Sequence, residues 1–236
     1  MRSIIFDTGP LISLTMNNLL WILEPLKRQF KGQFFITKDV KREIIDKPLQ
    51  SKRFKFEALQ VASLLDDRII ELISSKSIRE RSSQLLYTAN RCFSCKKNPL
   101  RVIQLAEMET LAAAVEMDAD ACAVDERTTR MLLEDPYSLR DILKKKLHCK
   151  VQIDRKKVKE FRKQVKKVKI IRSIELIVMA YEMGLLDKYL PGAAGDRKTL
   201  LDSVLWGAKI DGCAVSAKEI DQIIELERRK IRKSSS

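Results

Sequence analysis

The chain has 236 residues, of which 45% are hydrophobic and 33% are charged, and its formal net charge is +14. This length and composition supply enough apolar surface for a sizeable core, which excludes an intrinsically disordered protein. The first residues contain no secretory apolar run, and no stretch is apolar over the roughly 18 residues of a membrane span, so we expect a cytoplasmic protein without membrane contact.

Short apolar runs alternate with helical patterns in the first part of the chain. Residues 3–6 predict a strand, and a helical pattern follows over residues 11–23. Residues 33–37 predict a second strand, followed by a helix over residues 38–46 that Pro48 is expected to end. The next predicted elements are a helix over residues 56–65, a strand over 68–73, a helix over 77–90 and a connector over 91–99.

The same alternation continues in the second part of the chain. Apolar residues at spacings of three and four predict a helix over residues 105–117, and residues 120–124 predict a strand. Ser173 is expected to cap an apolar helix over residues 174–183, which Gly184 ends. Strands that alternate with helices are typical of the α/β class, so we predict a parallel, doubly wound sheet flanked by helices. The remaining predicted elements are a helix from Arg127, strands over 150–153 and 168–171, a helix over 155–167, a linker over 191–195 and two helices within 200–230.

Most of the positive charge is confined to residues 144–172. This segment contains 14 Lys and Arg residues against Asp154 and Glu160, so it carries a net +12 of the chain's +14. Clustered cations that neutralise phosphates release counterions, which favours a polyanionic partner, whereas the alternative is a solvated helix face. The candidate residues for contact with the polyanion, in this segment and in the helix before it, are Arg127, Arg130, Lys156, Lys157, Arg162, Lys163, Lys166 and Lys167.

Four acidic residues lie where predicted strands give way to turns or helices. Asp7 directly follows the first predicted strand, and Asp125 lies at the end of the strand over residues 120–124. Glu43 and Glu107 lie on predicted helices. The functional crevice of a parallel α/β sheet lies outside the carboxyl ends of the strands, so we expect these carboxylates to converge there. Converging carboxylates repel one another, which favours a bound divalent cation. The single histidine, His148, lies outside this set, so the sequence favours Mg²⁺ or Mn²⁺ over Zn²⁺.

Taken in order, these acidic segments resemble the motifs of the PIN-domain nucleases, particularly the VapC-like and archaeal branches. The opening Ile-Ile-Phe-Asp-Thr-Gly-Pro-Leu-Ile, which contains Asp7, resembles the first strand and acidic motif of that family. Residues 36–45, a strand followed by a helix with Glu43, resemble the second motif. Leu-Ala-Glu-Met-Glu-Thr-Leu-Ala-Ala-Ala resembles the third motif in its glutamate form, with Glu107 favoured over Glu109 as the ligand.

The sequence Ala-Val-Asp-Glu-Arg, which contains Asp125, resembles the fourth motif, and residues 171–186 are similar to the terminal strand and helix of one PIN subgroup. The resemblance implies a PIN-like nuclease domain over residues 1–190, with the basic segment inserted before the last strand, and a C-terminal helical extension over residues 191–236 with a basic tail. It also implies that Asp7, Glu43, Glu107 and Asp125 are the catalytic metal ligands, supported by Thr8 and by Thr128 or Arg130.

These expectations define a function and its alternatives. The resemblance implies a Mg²⁺- or Mn²⁺-dependent endoribonuclease that hydrolyses RNA phosphodiester bonds, in RNA processing or as a toxin-like ribonuclease. The alternative is a non-catalytic RNA-binding or ribosome-associated protein on the same fold, and a further alternative is a structural module whose C-terminal helices bind protein. RNA is the expected partner, and a homodimer and an antitoxin-like or ribosomal protein partner stay open.

Five cysteines, an odd number in a chain without a signal peptide, predict free thiols in a reducing compartment. Cys92 and Cys95 have the spacing of a zinc knuckle, but a complete zinc site requires a second pair. The other cysteines, Cys122, Cys149 and Cys213, are isolated in the sequence. The sequence therefore leaves the role of Cys92 and Cys95 open.

Overall fold

Eight strands form two sheets in the computed structural model, which describes residues 2–190 and 196–234 and the side chains as far as residue 230. Five strands form a parallel sheet in the order β3-β2-β1-β6-β8, and three form an antiparallel sheet in the order β5-β4-β7. The strands are β1 (Ser3–Phe6), β2 (Gln33–Thr37), β3 (Glu71–Ile73), β4 (Phe93–Cys95), β5 (Asn98–Pro99), β6 (Ala121–Ala123), β7 (Val151–Ile153) and β8 (Ile170–Ile171).

Helices connect the parallel strands, and the prediction of an α/β fold with a parallel sheet flanked by helices is confirmed. No helix within the described residues combines the length and apolar character required to cross a membrane. The helices are α1 (Thr8–Met16), α2 (Leu23–Phe30), α3 (Lys38–Lys41), α4 (Lys47–Leu49), α5 (Lys55–Asp66), α6 (Lys76–Ala89), α7 (Leu105–Glu116), α8 (Arg127–Glu134), α9 (Pro136–Leu147), α10 (Arg155–Gln164), α11 (Ser173–Glu182), α12 (Arg197–Ile210) and α13 (Ala217–Ser234), with 3₁₀ turns at Leu20–Ile22 and Leu185–Tyr189 and a π-helical turn at Arg42–Asp46.

Side chains that alternate along the strands fill two apolar cores. Ile4 and Phe6 belong to one core, whereas Ile5 belongs to the other. The same alternation holds for Ala123 and Cys122 on β6. A strand that is buried on both faces reads as a continuous apolar run, which explains why these strands could be recognised in the sequence.

The C-terminal helices share the first of these cores. Leu201, Leu205 and Ala208 of α12 are buried in the same cluster as Phe6 of the central strand. Arg172, at the end of β8, donates a hydrogen bond of 2.9 Å to Glu219 on α13. The predicted linker over residues 191–195 lies outside the described residues, as do the side chains of the tail beyond residue 230.

The structure corrects several element boundaries. The helical region after β2 continues through Pro48 and ends at Leu49, later than predicted. Ser173 is the first residue of α11 and not its cap, a position that Arg172 occupies. Helix α9 was not predicted, although Asp135 caps it by accepting a hydrogen bond of 3.0 Å from the Ser138 backbone N–H.

The segment predicted as a connector over residues 91–99 contains β4 and β5. Cys95 and Asn98 pair across a two-residue turn, and Lys96 and Lys97 within it have φ angles of 49° and 67°. Two successive positive φ angles are typical of a type I′ hairpin turn, which usually contains Asn or Gly. The absence of these residues from the turn itself explains why the hairpin was missed.

The expectation of five free thiols is wrong for two of them. Cys95 on β4 and Cys149, which precedes β7, form a disulfide with a Cα–Cα distance of 6.4 Å. Cys92, Cys122 and Cys213 are free and buried. Cys92 Sγ donates a hydrogen bond of 3.4 Å to the Thr88 carbonyl, and its pKa is raised to about 12 mainly by burial.

Candidate functional site

The candidate site lies at the point where the strand order reverses direction. The chain runs outward from β1 to β2 and β3, and then returns to place β6 and β8 on the opposite side of β1. Ligands of open α/β sheets bind in the crevice at the carboxyl ends of such strands. Asp7 follows β1 there, and its backbone N–H donates a hydrogen bond of 2.9 Å to the Ala123 carbonyl of β6.

Asp7 lies between the end of β1 and the start of α1. It is 5% exposed, and its Oδ1 accepts a hydrogen bond of 3.2 Å from the Thr110 hydroxyl on α7. Burial raises the pKa of Asp7 to about 6, against the lowering effect of hydrogen bonds from Thr8 and Thr110, and the charges of Glu43 and Asp125 raise it further. The ionised form is therefore costly unless a cation compensates it.

Glu43 approaches Asp7 from the helical segment after β2. It belongs to the π-helical turn Arg42–Asp46 and is exposed, and its Oε2 accepts a hydrogen bond of 3.2 Å from the Thr8 hydroxyl. The predicted support from Thr8 is thus a direct contact with Glu43. A single π-helical turn inside a helix changes the direction of its side chains and is frequent at functional sites.

Glu107 approaches from the first turn of α7. Its Oε2 accepts a short hydrogen bond from the Thr129 hydroxyl on α8. Burial raises the pKa of Glu107 to about 7 against this hydrogen bond, and the charges of Glu126 and Asp7 act in the same direction as burial. The threonine that contacts this carboxylate is Thr129, the neighbour of the predicted Thr128.

Glu109, the rival of Glu107, has a different position. It is 4% exposed, and its Oε2 accepts a hydrogen bond of 3.1 Å from the Asp39 backbone N–H at the start of α3. An acidic side chain at a helix N-terminus satisfies an otherwise unpaired N–H group. Glu109 therefore links α7 to α3, whereas Glu107 shares its electrostatic environment with Asp7.

Asp125, the fourth predicted ligand, contacts the start of α11. It is 2% exposed, and Ser173 donates two hydrogen bonds of 2.7 Å to it, from the backbone N–H to Oδ1 and from the hydroxyl to Oδ2. Burial raises the pKa of Asp125 against these hydrogen bonds. Its carboxylate thus fixes the first turn of α11 to the end of β6, and its charge acts on Asp7 from that position.

These carboxylates fit a divalent metal ion that takes only a few of its ligands from the protein. Among the residues that the structure describes, no group of three or more His, Cys, Asp or Glu side chains lies close enough together to hold an ion. Mg²⁺ usually retains several waters and binds through one or two carboxylates, so it does not require such a group. Asp7 and the carboxylates within its electrostatic reach, Glu43 and Glu107, are the residues that could hold an ion of this kind.

The predicted polyanion-binding residues lie in different environments. Lys157 forms an ion pair of 2.8 Å with Glu160, and Lys167 one of 3.4 Å with Asp118. Arg130 is half-buried and lies 3.6 Å from Glu134. The predicted residues with exposed side chains and no ion pair within the described part of the chain are Arg127, Lys156, Arg162, Lys163 and Lys166.

A second group of cations lines a cleft of about 580 Å³ beside α3. The cleft borders Glu109 and the start of α7, so it adjoins the candidate site, and sequence reasoning missed it. Two of its cations are paired, Lys41 with Asp46 and Arg42 with Asp39. The basic residues that line the cleft are Lys38, Lys41, Arg42 and Arg79.

Sequence reasoning also missed the threonine and serine residues that donate hydrogen bonds to the carboxylates. Thr110 lies one helical turn after Glu107, so its position on the same face of α7 could have been inferred. Thr129 and Ser173 could not, because their contacts with Glu107 and Asp125 join elements that are distant in sequence.

Comparisons with models of known protein families, with curated proteins and with solved structures found no match for this chain.

Proposed function

We propose that this chain is a divalent-metal-dependent endoribonuclease of the PIN type, which hydrolyses RNA phosphodiester bonds. The observation that carries the proposal is the position of Asp7 at the reversal point of the sheet, buried and within electrostatic reach of Glu43, Glu107 and Asp125. Ionised carboxylates that are buried near one another destabilise a protein, so their presence here favours a bound cation. The resemblance of the four acidic segments to PIN motifs supplies the reaction class.

The proposal assigns different tasks to the four carboxylates. Asp7 and Glu43 hold Mg²⁺ or Mn²⁺, and a bound ion supplies charge neutralisation at the phosphodiester and activation of a water molecule. Asp125 anchors α11 and adds negative potential at Asp7.

Glu107 orients the attacking water and accepts its proton. Its Oε2 accepts a hydrogen bond from the Thr129 hydroxyl, which fixes the orientation of the carboxylate. Burial is the main cause of the raised pKa of Glu107, and a raised pKa makes a carboxylate a stronger proton acceptor. Attack by water at phosphorus with departure of the 3′ oxygen leaves a 5′-phosphate on the product.

The test is cleavage of an end-labelled single-stranded RNA in Mg²⁺ or Mn²⁺, with wild type, Asp7→Asn and Asp66→Asn compared. Asp66 is an exposed acid at the end of α5 and serves as the matched control. Wild type and Asp66→Asn are expected to release products with 5′-phosphates, and Asp7→Asn is expected to lose at least about 100-fold in rate.

Two results oppose the proposal. Equal cleavage by Asp7→Asn and wild type removes the site, because activity then arises elsewhere or from a contaminant. Tight, salt-sensitive RNA binding without cleavage in any divalent metal supports the non-catalytic RNA-binding alternative instead.

A further inference from the structure

A groove of about 770 Å³ runs along α10 and lies outside the carboxylate site. Helices α8 and α9 form one of its walls, α10 forms the other, and the edge strand β8 contributes to it. Its floor is apolar and its rim is cationic. The apolar residues that line it are Leu133, Pro136, Ile153, Val158, Val165, Val168 and Ile170.

The rim of the groove carries cations without ion-pair partners. Five exposed basic side chains line it, and within the described residues none of them is within 4.0 Å of an acidic group. The one acid in the lining, Glu134, lies 3.6 Å from Arg130. An uncompensated row of cations attracts a polyanion and gains affinity from the counterions that it releases. The five are Arg155, Lys159, Arg162, Lys163 and Lys166.

The other cations of the basic segment are placed differently. Lys156, Lys157 and Lys167 do not line the groove, and two of them form the ion pairs with Glu160 and Asp118. Only one side of the basic helix therefore presents unpaired charge above an apolar floor. A solvated helix face would not require the unpaired cations to be concentrated along an apolar groove.

An exposed aromatic ring completes the groove. Tyr137, in the first turn of α9, is 45% exposed, and the Arg155 guanidinium lies 5.9 Å from its ring centre. Aromatic rings beside cations are stacking platforms for unpaired bases, because every base presents a π-face once it is out of a duplex. The combination therefore favours a single strand over a duplex.

The groove and the carboxylate site share two segments of the chain. Leu133 in its wall lies four residues after Thr129 on α8, which corresponds to roughly 6 Å along the helix. Ile170 in its lining lies three residues before Ser173, which binds Asp125. Residues that line the groove thus lie three or four positions along the chain from residues that contact Glu107 and Asp125.

We propose that this groove binds a single-stranded RNA segment that adjoins the cleaved one, with the phosphates on the rim cations and a base on Tyr137. The identification of the strand as the substrate rests on the proposed function, but binding to the groove does not require cleavage.

The test measures binding of a fluorescein-labelled, mixed-sequence single-stranded RNA to the full chain in EDTA, by anisotropy at 50 to 200 mM salt. The groove variant is Lys159→Gln/Arg162→Gln/Lys163→Gln. The matched control, Lys144→Gln/Lys145→Gln/Lys146→Gln, removes the same number of charges from exposed positions of the same basic segment but outside the groove. Circular dichroism and thermal unfolding check that both variants are folded.

The groove variant is expected to bind at least about tenfold more weakly than wild type, with a salt slope smaller by about 2, whereas the control changes affinity less than about threefold. Tyr137→Ala is expected to weaken binding by about fivefold or more, and Tyr137→Phe to restore it, because stacking requires the ring and not the hydroxyl. Equal losses in the two triple variants, no loss in either, or binding of duplex RNA as tight as that of the single strand overturns the proposal.

The binding and cleavage measurements distinguish failure of the groove proposal from failure of the nuclease proposal. Groove-dependent binding without metal-dependent cleavage removes the catalytic proposal and leaves this one intact. Wild-type affinity and wild-type cleavage in the groove variant remove this proposal and leave the catalytic one.

Discussion

At the scale of single residues, three threonine hydroxyls support three carboxylates of the candidate site. Thr110 donates to Asp7, Thr8 to Glu43 and Thr129 to Glu107. The acidic residues could be predicted because each follows or begins an element that is marked by a local apolar pattern. The threonine contacts could not be predicted, because all three join elements that are distant in sequence.

The division of tasks between Glu107 and Glu109 gives the first prediction. Glu107→Gln is expected to reduce RNA cleavage by about 10² to 10⁴, because it removes a positioned proton acceptor. Glu109→Gln is expected to leave cleavage within about threefold and to reduce the free energy of unfolding by about 1 kcal/mol, because its contact with the Asp39 N–H loses its charge. Initial rates and urea unfolding measure the two effects, and the reverse pattern would make Glu109 the functional residue.

The burial of Asp7 gives the second prediction. A carboxylate that is 5% exposed beside other acids destabilises the metal-free protein when it is ionised. Asp7→Asn is therefore expected to raise the free energy of unfolding at pH 7 in EDTA by on the order of 1 kcal/mol, while Asp66→Asn changes it little. Urea unfolding of wild type and both variants measures these free energies. A lower stability of Asp7→Asn than of wild type contradicts the electrostatic account of the site.

At the scale of elements, the predictions succeeded where local pattern and burial agree. The central strand β1 and its neighbour β2 contain the buried apolar runs 4–6 and 34–36, and α7 shows apolar residues at helical spacing. The hairpin of β4 and β5 was missed because Lys96 and Lys97 adopt positive φ angles without a Gly or Asn between them. Helix α9 was missed despite the Asp135-Pro136 pair, which is a recognised helix start.

The start of α13 gives a prediction about pH. Ser216 and Glu219 form a capping box, and Glu219 also accepts a hydrogen bond of 2.9 Å from Arg172. Partial burial raises the pKa of Glu219, but hydrogen bonds from Ser216 and Arg172 outweigh it and lower the pKa from 4.5 to about 2. The stabilisation by the ionised group is therefore complete above pH 4.5 and is lost as the pH falls towards 2.

Glu219→Gln is accordingly expected to reduce the free energy of unfolding by about 1 kcal/mol at pH 7, a figure that allows for solvent screening of the half-exposed pair. The difference from wild type should shrink as the pH falls from 4.5 towards 2. Glu225→Gln, on the same helix but in an exposed ion pair with Arg229, is the control and should have little effect. A difference that is independent of pH would contradict the assigned pKa.

At the scale of the whole molecule, the C-terminal helices belong to the core that supports the site. The sequence marked them as helices, but the packing of α12 against α11 and α13 is a tertiary property that no local pattern specifies. Buried residues of α12 lie in the same apolar core as Phe6 of β1. Ala214 also donates a backbone hydrogen bond of 3.2 Å to the Asp125 carbonyl, so the segment between α12 and α13 contacts the carboxylate region directly.

Truncation of a core side chain on α12 tests this link. Leu205 is fully buried, and Leu205→Ala is expected to reduce the free energy of unfolding by about 2 to 5 kcal/mol in a single transition for the whole chain. Leu226→Ala, at an exposed position of α13, should change stability by less than about 0.5 kcal/mol. An early transition confined to the C-terminal helices in Leu205→Ala, with the rest of the chain unaffected, would show that they form an independent unit.

The central claim is that carboxylates from distant parts of the sequence hold one divalent ion at the reversal point of the sheet. The most direct measurement is titration of the protein with Mn²⁺, with free Mn²⁺ followed by electron paramagnetic resonance. Wild type and Asp66→Asn should bind Mn²⁺ alike, and Asp7→Asn should bind it at least about tenfold more weakly. Mn²⁺ affinity that is the same in wild type and Asp7→Asn contradicts the claim.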